Sequence, residues 1–282
     1  GKMRNSGVEM DFGYRQNFGE LSIRLGANAS WLKNKLISYG NDQGWANLDS
    51  FQGTGTITRA ENGLPFPYFY GYRTDGIIQN LAEANAYNSK YGTSLVPGDV
   101  RYVDVDQNGT IDENDRTKIG KGMPDWTYGV NLTATWRGFD FYIFFQGAAG
   151  NDIFDATRRI DALASNLPSY MLNRWTGEGT SNTMPRFVQA DPYNWQSSDL
   201  MVYDGSYFRL KNIQLGYTLP EKITRKAFIS KFRVYVAAEN LKTWTKYHGF
   251  DPEISSGGTS LGIDYGVYPQ ARVWTVGCNL SF

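Results

Sequence analysis

The chain ends at residues 272–282 with the sequence RVWTVGCNLSF. Apolar side chains alternate here with small or polar ones up to the last residue, and the apolar set is Trp274, Val276, Cys278, Leu280 and Phe282. Because successive side chains of an extended chain point to opposite faces, this stretch has one apolar and one polar face. A transmembrane β-barrel needs that arrangement, since one face meets lipid and the other meets a lumen. The stretch therefore predicts a membrane-spanning β-strand.

The overall composition resembles that of a soluble protein. Lys plus Arg and Asp plus Glu both number 28, and the mean hydropathy is −0.47. No apolar run approaches the roughly 20 residues that a membrane helix requires, but barrel strands are short and only half apolar. The neutral charge lacks the basic footprint of a nucleic-acid-binding protein. A single cysteine, Cys278, excludes an internal disulfide.

The clearest internal strand runs from Trp126 to Trp136, with apolar side chains on one side and Thr, Gly or Asn on the other. Ten steps of about 3.3 Å, tilted by about 45°, span roughly 23 Å, which is close to the apolar band of a membrane barrel. Arg209 and Lys211 break the alternation in another strand and predict a bulge or a protrusion there. The further strands are predicted at 8–15, 21–31, 139–147, 207–218, 232–240 and the terminus, which makes seven.

The connections between these strands alternate between short and long. The short ones are 16–20, 137–138 and 219–231, and the long ones are 32–125, 148–206 and 241–270. Membrane barrels place short turns in the periplasm and long loops outside the cell. This rule predicts an all-β, antiparallel transmembrane barrel segment with extracellular loops and with Phe282 in the periplasm.

A soluble β-sandwich also has strands of period two, so the alternation alone leaves that alternative open. Loops far longer than the ~12 to 15 residues usual in compact domains favour the barrel. Seven strands with two open edges cannot close a barrel, and unpaired backbone groups cannot face lipid. We therefore expect further strands elsewhere and expect this chain, which begins at Gly1, to be a fragment or a processed C-terminal part.

Several separate motifs stand out along the sequence: GYRTDGII (71–78), PGDVRYVD (97–104), DENDRTKIG (112–120), GFD (138–140), FFQG (144–147), LKNIQLGYTLP (210–220) and GFDPE (249–253). Together, and in this order, they closely resemble the C-terminal barrel portion of SusC/RagA-type TonB-linked outer-membrane proteins of Bacteroidetes. The resemblance runs almost end to end and also includes the opening 4–9 and the closing 268–269.

The resemblance implies a 22-stranded barrel in the bacterial outer membrane, filled by a plug domain that an energy-coupling TonB box precedes. It also implies a SusD-like surface lipoprotein that acts as a lid, and import of oligosaccharides or peptides. The plug and the TonB box are absent from this chain, which supplies strands and loops across 1–282 and no catalysis. Two alternatives are a secreted carbohydrate-binding β-sandwich and an ungated porin-like channel. Purification without detergent would contradict lipid-facing strands and favour the β-sandwich. Detection of a plug and a TonB box upstream would exclude the porin-like channel.

Residues 104–115 have the ligand spacing of a calcium loop. Asp115 replaces the usual long bidentate Glu, and the flanks are predicted to be extended, so an isolated surface loop is expected rather than an EF-hand. The alternative is an acidic turn whose Asp and Asn side chains bind their own backbone. The candidate Ca²⁺ ligands are Asp104, Asp106, Asn108, Thr110, Asp112 and Asp115.

Aromatic residues recur in the predicted loops. Their faces can stack on sugar rings or apolar side chains, and their polar tips can form hydrogen bonds. The alternative is that they pack the loops together or form the seat of the lipoprotein lid. The candidates for contact with ligand or lid are Trp45, Tyr70, Tyr72, Trp175, Tyr193 and Trp195.

Catalytic motifs are missing from the sequence. His248 is the only histidine and has no nucleophile motif nearby, so a surface role is expected for it. Asp251 and Glu253 could imitate a glycosidase pair, but two carboxylates in one short turn are not placed across a sugar ring. We predict that the chain is not an enzyme.

Overall fold

The computed structural model describes residues 1–51, 54–157, 167–188, 191–254 and 256–282. Its largest sheet has seven strands, which we call the wall. They are β1 (Lys2–Phe18), β2 (Leu21–Ser38), β3 (Trp126–Trp136), β4 (Phe139–Ala149), β5 (Tyr207–Thr218), β6 (Lys231–Thr245) and β7 (Val273–Ser281).

Each wall strand pairs antiparallel with the next one along the chain. The register aligns the apolar positions of neighbouring strands, so that Leu132 of β3 lies between Leu25 of β2 and Ile143 of β4. The antiparallel all-β prediction is confirmed. The wall strands coincide with the segments that the period-two pattern indicated, and β3 and β5 have the predicted bounds.

The wall is a single layer with two different faces. The apolar face carries exposed rows of large side chains, with Phe12 59%, Leu215 48% and Val276 85% accessible. The opposite, polar face carries residues such as Asn28 and Asn131. The buried apolar clusters of the described residues consist of loop residues, so the apolar rows do not face each other across a closed core. This arrangement is not that of a β-sandwich.

The wall has a turn end and a loop end. At the turn end, Arg137 and Gly138 both have positive φ (47° and 86°) and join β3 to β4 as a two-residue hairpin turn. A glycine suits this turn because it tolerates positive φ without strain. Since β7 pairs with Lys231 of β6 near its last residue, Phe282 lies at the turn end, opposite the long loops.

Four wall strands are longer than the sequence predicted, namely β1, β2, β4 and β6. β1 and β2 pair from Phe18–Leu21 as far as Lys2–Ser38. The apolar face that identified the rest does not continue into their outer parts, because its positions there hold Lys33 and Lys35 in β2 and Arg4 in β1. The predicted irregularity near Arg209 and Lys211 is present as a bulge, because the β5–β6 register shifts between Leu210 and Asn212.

The long connections contain secondary structure of their own. Helix α1 (Leu81–Tyr91) was not predicted; Asn80 caps its first turn and Gly92 ends it with φ 65°. None of the described helices is long and apolar enough to cross a bilayer. The other helices are α2 (Glu221–Thr224) and the 3₁₀ turns Glu113–Asp115, Ser169–Asn173, Asp199–Met201, Arg225–Ala227 and Gly258–Ser260. The loop strands are Trp45–Asn47, Ser50–Phe51, Gly55–Thr56, Thr58–Glu61, Tyr68–Gly71, Thr74–Ile77, Val100–Tyr102, Thr117–Gly120, Asp152–Asp155, Val202–Asp204 and Ile263–Asp264.

These loops pack on one another and form what we call the loop cap: the described parts of 39–125, 150–206 and 246–272. The predicted loops 32–125 and 148–206 fall largely within it, although 52–53, 158–166 and 189–190 lie outside the described residues. One buried cluster joins three separate loops through Phe69, Phe154 and Ile263. A second joins Tyr72, Ile77, Val100 and Tyr102. The cap therefore has a hydrophobic core that the wall lacks.

Candidate functional site: the polar face of the wall and its loop cap

The polar face of the wall carries a bidentate ion pair near the turn end. Arg233 Nε donates to Asp140 Oδ1 at 2.8 Å, and Arg233 Nη2 donates to Asp140 Oδ2 at 2.5 Å. A Cβ at Gly216 would lie 2.5 Å from the Arg233 guanidinium and 2.6 Å from the Asp140 carboxylate. The ion pair crosses β5 through the space beside Gly216, so a residue with a side chain would not fit at this position.

At the loop end of the same face, Arg209 of β5 is almost fully buried, with 1% of its surface accessible. Its guanidinium spans two carboxylates. Nη2 lies 2.5 Å from Asp251 Oδ1, and Nη1 lies 2.8 Å from Glu253 Oε2. Nε donates to Thr243 Oγ1 of β6 at 2.9 Å. All three nitrogens of the side chain have partners, so the buried charge is compensated.

The carboxylate of Asp251 also organises the loop to which it belongs. Its oxygens accept the backbone N–H of Glu253 at 2.9 Å and that of Gln270 at 2.9 Å. Lys211 Nζ reaches Glu253 at 3.3 Å. We call Arg209, Lys211, Asp251 and Glu253 the loop pin, because they fasten the final loop of the cap to the wall. The sequence singled out the two basic residues and the two carboxylates separately, but it did not indicate that they contact each other.

The predicted ligand-contact residues Trp45, Tyr70 and Tyr72 form a stack with two arginines. The Arg59 guanidinium lies 3.7 Å from the Trp45 ring centroid and 4.3 Å from that of Tyr70. Arg116 follows, 4.7 Å from Tyr70 and 5.8 Å from Tyr72. Such cation–π contacts gain strength when they are desolvated, and Tyr70 and Tyr72 are buried.

The remaining predicted aromatic contacts lie in two other environments. Tyr193 packs on Tyr102 with ring centroids 5.1 Å apart, and Trp175 Nε1 donates to Gln79 Oε1 at 3.3 Å. Trp195 is buried in the first apolar cluster of the cap. Burial also raises the pKa of Tyr72 to about 12, so its hydroxyl is neutral at physiological pH. These side chains support the cap, and direct contact of the six residues with ligand or lid stays a prediction.

The acidic loop brings part of the predicted calcium set together. Carboxylate oxygens of Asp104, Asp106 and Asp115 lie within 4.8 Å of one another. The Asn108 N–H donates to both Asp104 Oδ1 and Asp106 Oδ1 at 3.1 Å, and Thr110 Oγ1 donates to Asn108 Oδ1 at 2.6 Å. The loop thus has oxygen donors around one point together with internal Asx-type hydrogen bonds.

Asp112 and Asp115 close the loop at its end. Asp112 Oδ1 accepts the Asn114 N–H at 2.7 Å and caps the 3₁₀ turn Glu113–Asp115. Asp115 is buried, and its oxygens accept the N–H groups of Val105 at 2.7 Å and Asp112 at 2.9 Å. Loop strands rather than long helices flank this segment, which confirms that it is not an EF-hand.

His248 is exposed at the surface, as predicted, but it also contacts a buried carboxylate. Its Nε2 lies 3.2 Å from Asp155 Oδ2, a buried carboxylate that also accepts the Tyr170 hydroxyl at 2.9 Å. The imidazole ring packs against the rings of Tyr170 and Tyr203, with centroids 4.2 and 4.3 Å away. The sequence did not reveal this role because the partners come from distant loops.

Comparisons with curated proteins give matches over the whole chain. The sequence is 34% identical over 298 residues to TonB-dependent receptor P3 of Formosa agariphila, covering 100% of this chain and 29% of the relative. It is 25% identical over 299 residues to TonB-dependent receptor SusC of Bacteroides thetaiotaomicron, covering 99% of this chain and 27% of that protein. No family model matches. The chain thus spans less than a third of the length of these relatives.

Solved structures give the same picture. The RagAB peptide importer in the open-open state superposes with a TM-score of 0.73 at 25% identity, covering 99% of this chain and 29% of the matched one. A further structure of the RagAB peptide transporter gives a TM-score of 0.77 at 24% identity and shares the fold. The similarity therefore includes both the wall and the loop cap.

Proposed function

We propose that this chain, a barrel segment of a SusC/RagA-type TonB-dependent receptor, serves in outer-membrane nutrient import. In this proposal the apolar face of the wall contacts lipid, and the polar face lines the barrel interior. The loop cap lies outside the cell, and Phe282 lies in the periplasm. The observation that carries the proposal is the single-layer wall, whose exposed apolar rows end in a cap fastened to its polar face.

The wall supplies a scaffold rather than a catalyst. Its polar face offers hydrogen-bonding groups and compensated charges, and the cap offers a folded surface above the opening. Neither open edge of the wall, at β1 or at β7, can remain unpaired in lipid, so further strands must complete the barrel. We propose that those strands, a plug and a TonB box belong to the rest of the receptor.

Substrate and partner follow from the family resemblance. We propose that the cargo is an oligosaccharide or a peptide and that a SusD-like surface lipoprotein covers the loop cap as a lid. The RagAB structures, which are of a peptide importer, support the peptide possibility by similarity. Affinity purification of the tagged full-length receptor in detergent tests the partner. A lipoprotein should co-purify in near-equal amount, and purification of the receptor alone would contradict the lid.

Uptake by whole cells tests the transport proposal. Cells that lack the full-length receptor and cells that carry it are given fluorescent oligosaccharides or peptides, and accumulated label is measured. We expect one class of substrate to accumulate only with the receptor and to fall to the background level when the inner-membrane proton gradient is dissipated. Uptake that persists without the gradient would instead favour a passive channel, and uptake that ignores the receptor would contradict both.

We also propose that the acidic loop binds Ca²⁺ through Asp104, Asp106, Asn108, the Thr110 carbonyl, Asp112 and Asp115. Oxygen donors at this spacing suit a hard divalent cation, and extracellular sites of this kind bind in the range of about 10⁻⁴ to 10⁻³ M. The ion would add rigidity to the loop, which its own hydrogen bonds already shape.

Limited proteolysis of the full-length receptor checks the calcium proposal. Millimolar Ca²⁺ should slow cleavage within 104–115 severalfold relative to EDTA. The Asp106→Asn variant keeps a hydrogen-bond acceptor but loses a charge, and should lose most of this protection. The control Asp75→Asn changes an exposed carboxylate outside the loop and should keep it. Equal cleavage rates with and without Ca²⁺ would contradict the proposal.

A further inference from the structure

A notch opens in the wall where β2 extends beyond β3. Trp126, the first residue of β3, pairs with Trp31, but β2 continues from Leu32 to Ser38. Beside this overhang lies a cavity of about 480 Å³. Loop residues close its other sides, among them Pro65, Met123 and Pro124.

The notch carries a strong excess of positive charge. Four lysines line it: Lys33, Lys35, Lys118 and Lys121. Its one acidic lining residue, Asp125, forms an ion pair with Lys121. The other three lysines are exposed and form no ion pair with any described residue. Arg4 of β1 lies directly opposite Lys35 and adds a further positive charge.

The neighbouring carboxylates do not cancel this excess. Asp152 accepts the backbone N–H of Lys121 at 3.0 Å, and burial raises its pKa. Even with Asp125 and Asp152 both ionised, the lysines outnumber the carboxylates. Lys33, Lys35 and Lys118 thus form no ion pair within the described parts of the chain, although Lys118 is attracted to Asp152. The cavity keeps a net positive charge, which is the charge pattern of a site for a multiply charged anion.

The position of the notch indicates where that anion comes from. Lys33 and Lys35 follow Trp31 at intervals of two, so they share the apolar face of β2 with it. Trp31 and Trp126 pair at the loop end of this face, where barrels place the aromatic girdle of the membrane interface. Lys33 and Lys35 therefore lie one and two same-face positions beyond the girdle, at the depth of lipid head groups and on the lipid side of the wall.

We propose that this notch binds the phosphate groups of a phosphorylated glycolipid of the outer leaflet, of the lipid A type. The inference rests on the proposed orientation, in which the loop end lies at the outer surface of the outer membrane. Each ammonium is a point charge that can pair with a phosphate oxygen, while Trp31, Met123 and Pro124 offer apolar contact to the lipid. A bound lipid would occupy the gap in the wall beside the first residue of β3.

Native mass spectrometry of the purified full-length receptor in detergent tests the proposal. The receptor is titrated with bisphosphorylated lipid A, dephosphorylated lipid A or phosphatidylcholine. The test variant is Lys33→Gln/Lys35→Gln/Lys118→Gln. The control Lys90→Gln/Lys226→Gln/Lys246→Gln removes the same charge at exposed positions elsewhere.

We expect one bisphosphorylated lipid A to bind per receptor, at least about tenfold more tightly than either comparison lipid, neither of which has a net charge, since each lysine near the head group contributes about fivefold. The test variant should lose at least about tenfold in affinity, the control should not, and substitution of the three lysines by Arg should restore binding. Wild-type affinity in the test variant would overturn the proposal. Equal binding of dephosphorylated lipid A, or displacement by millimolar inorganic phosphate or by an anionic cargo, would overturn the lipid assignment.

Measuring uptake together with lipid binding separates this inference from the proposed function. Normal uptake by the test variant together with lost lipid binding supports both. Unchanged lipid binding by the test variant together with normal uptake would contradict the lipid site but leave the import proposal in place.

Discussion

Replacing Arg209 by Ala in the full-length receptor is expected to release the final loop of the cap from the wall. The substitution leaves the buried Asp251 carboxylate without its cation, a change that typically costs about 3 to 5 kcal/mol. Hydrogen exchange of the Glu253 and Gln270 amides, which donate to Asp251, measures the release. Their exchange should accelerate by about 150- to 5,000-fold.

A matched control uses an exposed ion pair. Arg225 and Glu221 pair on the surface with 75% and 58% of their side chains accessible, so Arg225→Ala should change stability by less than about 1 kcal/mol. The double variant Arg209→Ala/Asp251→Ala should be less destabilised than the two single changes added together, since removing both charges leaves less unpaired. If the amides of the Arg209→Ala receptor exchange at the wild-type rate, the loop pin does not hold the cap.

The second large effect concerns the lipid-facing row. Leu132 lies in the middle of β3 on the apolar face, whereas Asn131 beside it lies on the polar face. Leu132→Arg places a charge at the depth of the membrane centre and should destabilise the folded barrel by about 2 to 4 kcal/mol. Asn131→Arg should cost much less, because the polar face lines the interior. Urea titration of the full-length receptor in lipid vesicles gives both values, and equal effects would contradict the assignment of the faces.

The sequence predicted strand positions correctly where a single rule, the alternation of apolar and polar side chains, applies to each residue. In β3 the alternation extends to both ends of the strand, so the bounds agree with the structure. The bounds of β5 agree as well, although a bulge interrupts its alternation near Arg209 and Lys211. The rule failed for the outer parts of β1 and β2, because strands that leave the membrane no longer need an apolar face. Helix α1 was missed because it has no pronounced apolar stripe, although its Asn80 and Gly92 caps were present in the sequence.

Contacts between distant residues could not be predicted. Arg209 and Asp251 are separated by 42 positions, and no local pattern links a charge inside a strand to a turn near Pro252. His248 and Asp155 meet across 93 positions. The contacts of Trp45, Tyr70 and Tyr72 likewise depend on Arg59 and Arg116 lying between their rings, which no local pattern of the sequence indicates.

The most direct test of the lipid-facing wall is a spin-label scan of β3. Single cysteines are placed in turn along 127–135 of the full-length receptor in a Cys278→Ser background, since the native Cys278 is exposed. In native outer membranes, labels at Val130, Leu132 and Ala134 should be relaxed by dissolved oxygen and shielded from a water-soluble relaxing agent. Labels at the intervening positions, which are shielded from lipid, should be relaxed much less by oxygen. Labels whose accessibility to oxygen shows no period of two, or whose lipid exposure follows Asn131 and Thr133 instead, would contradict this account of the wall.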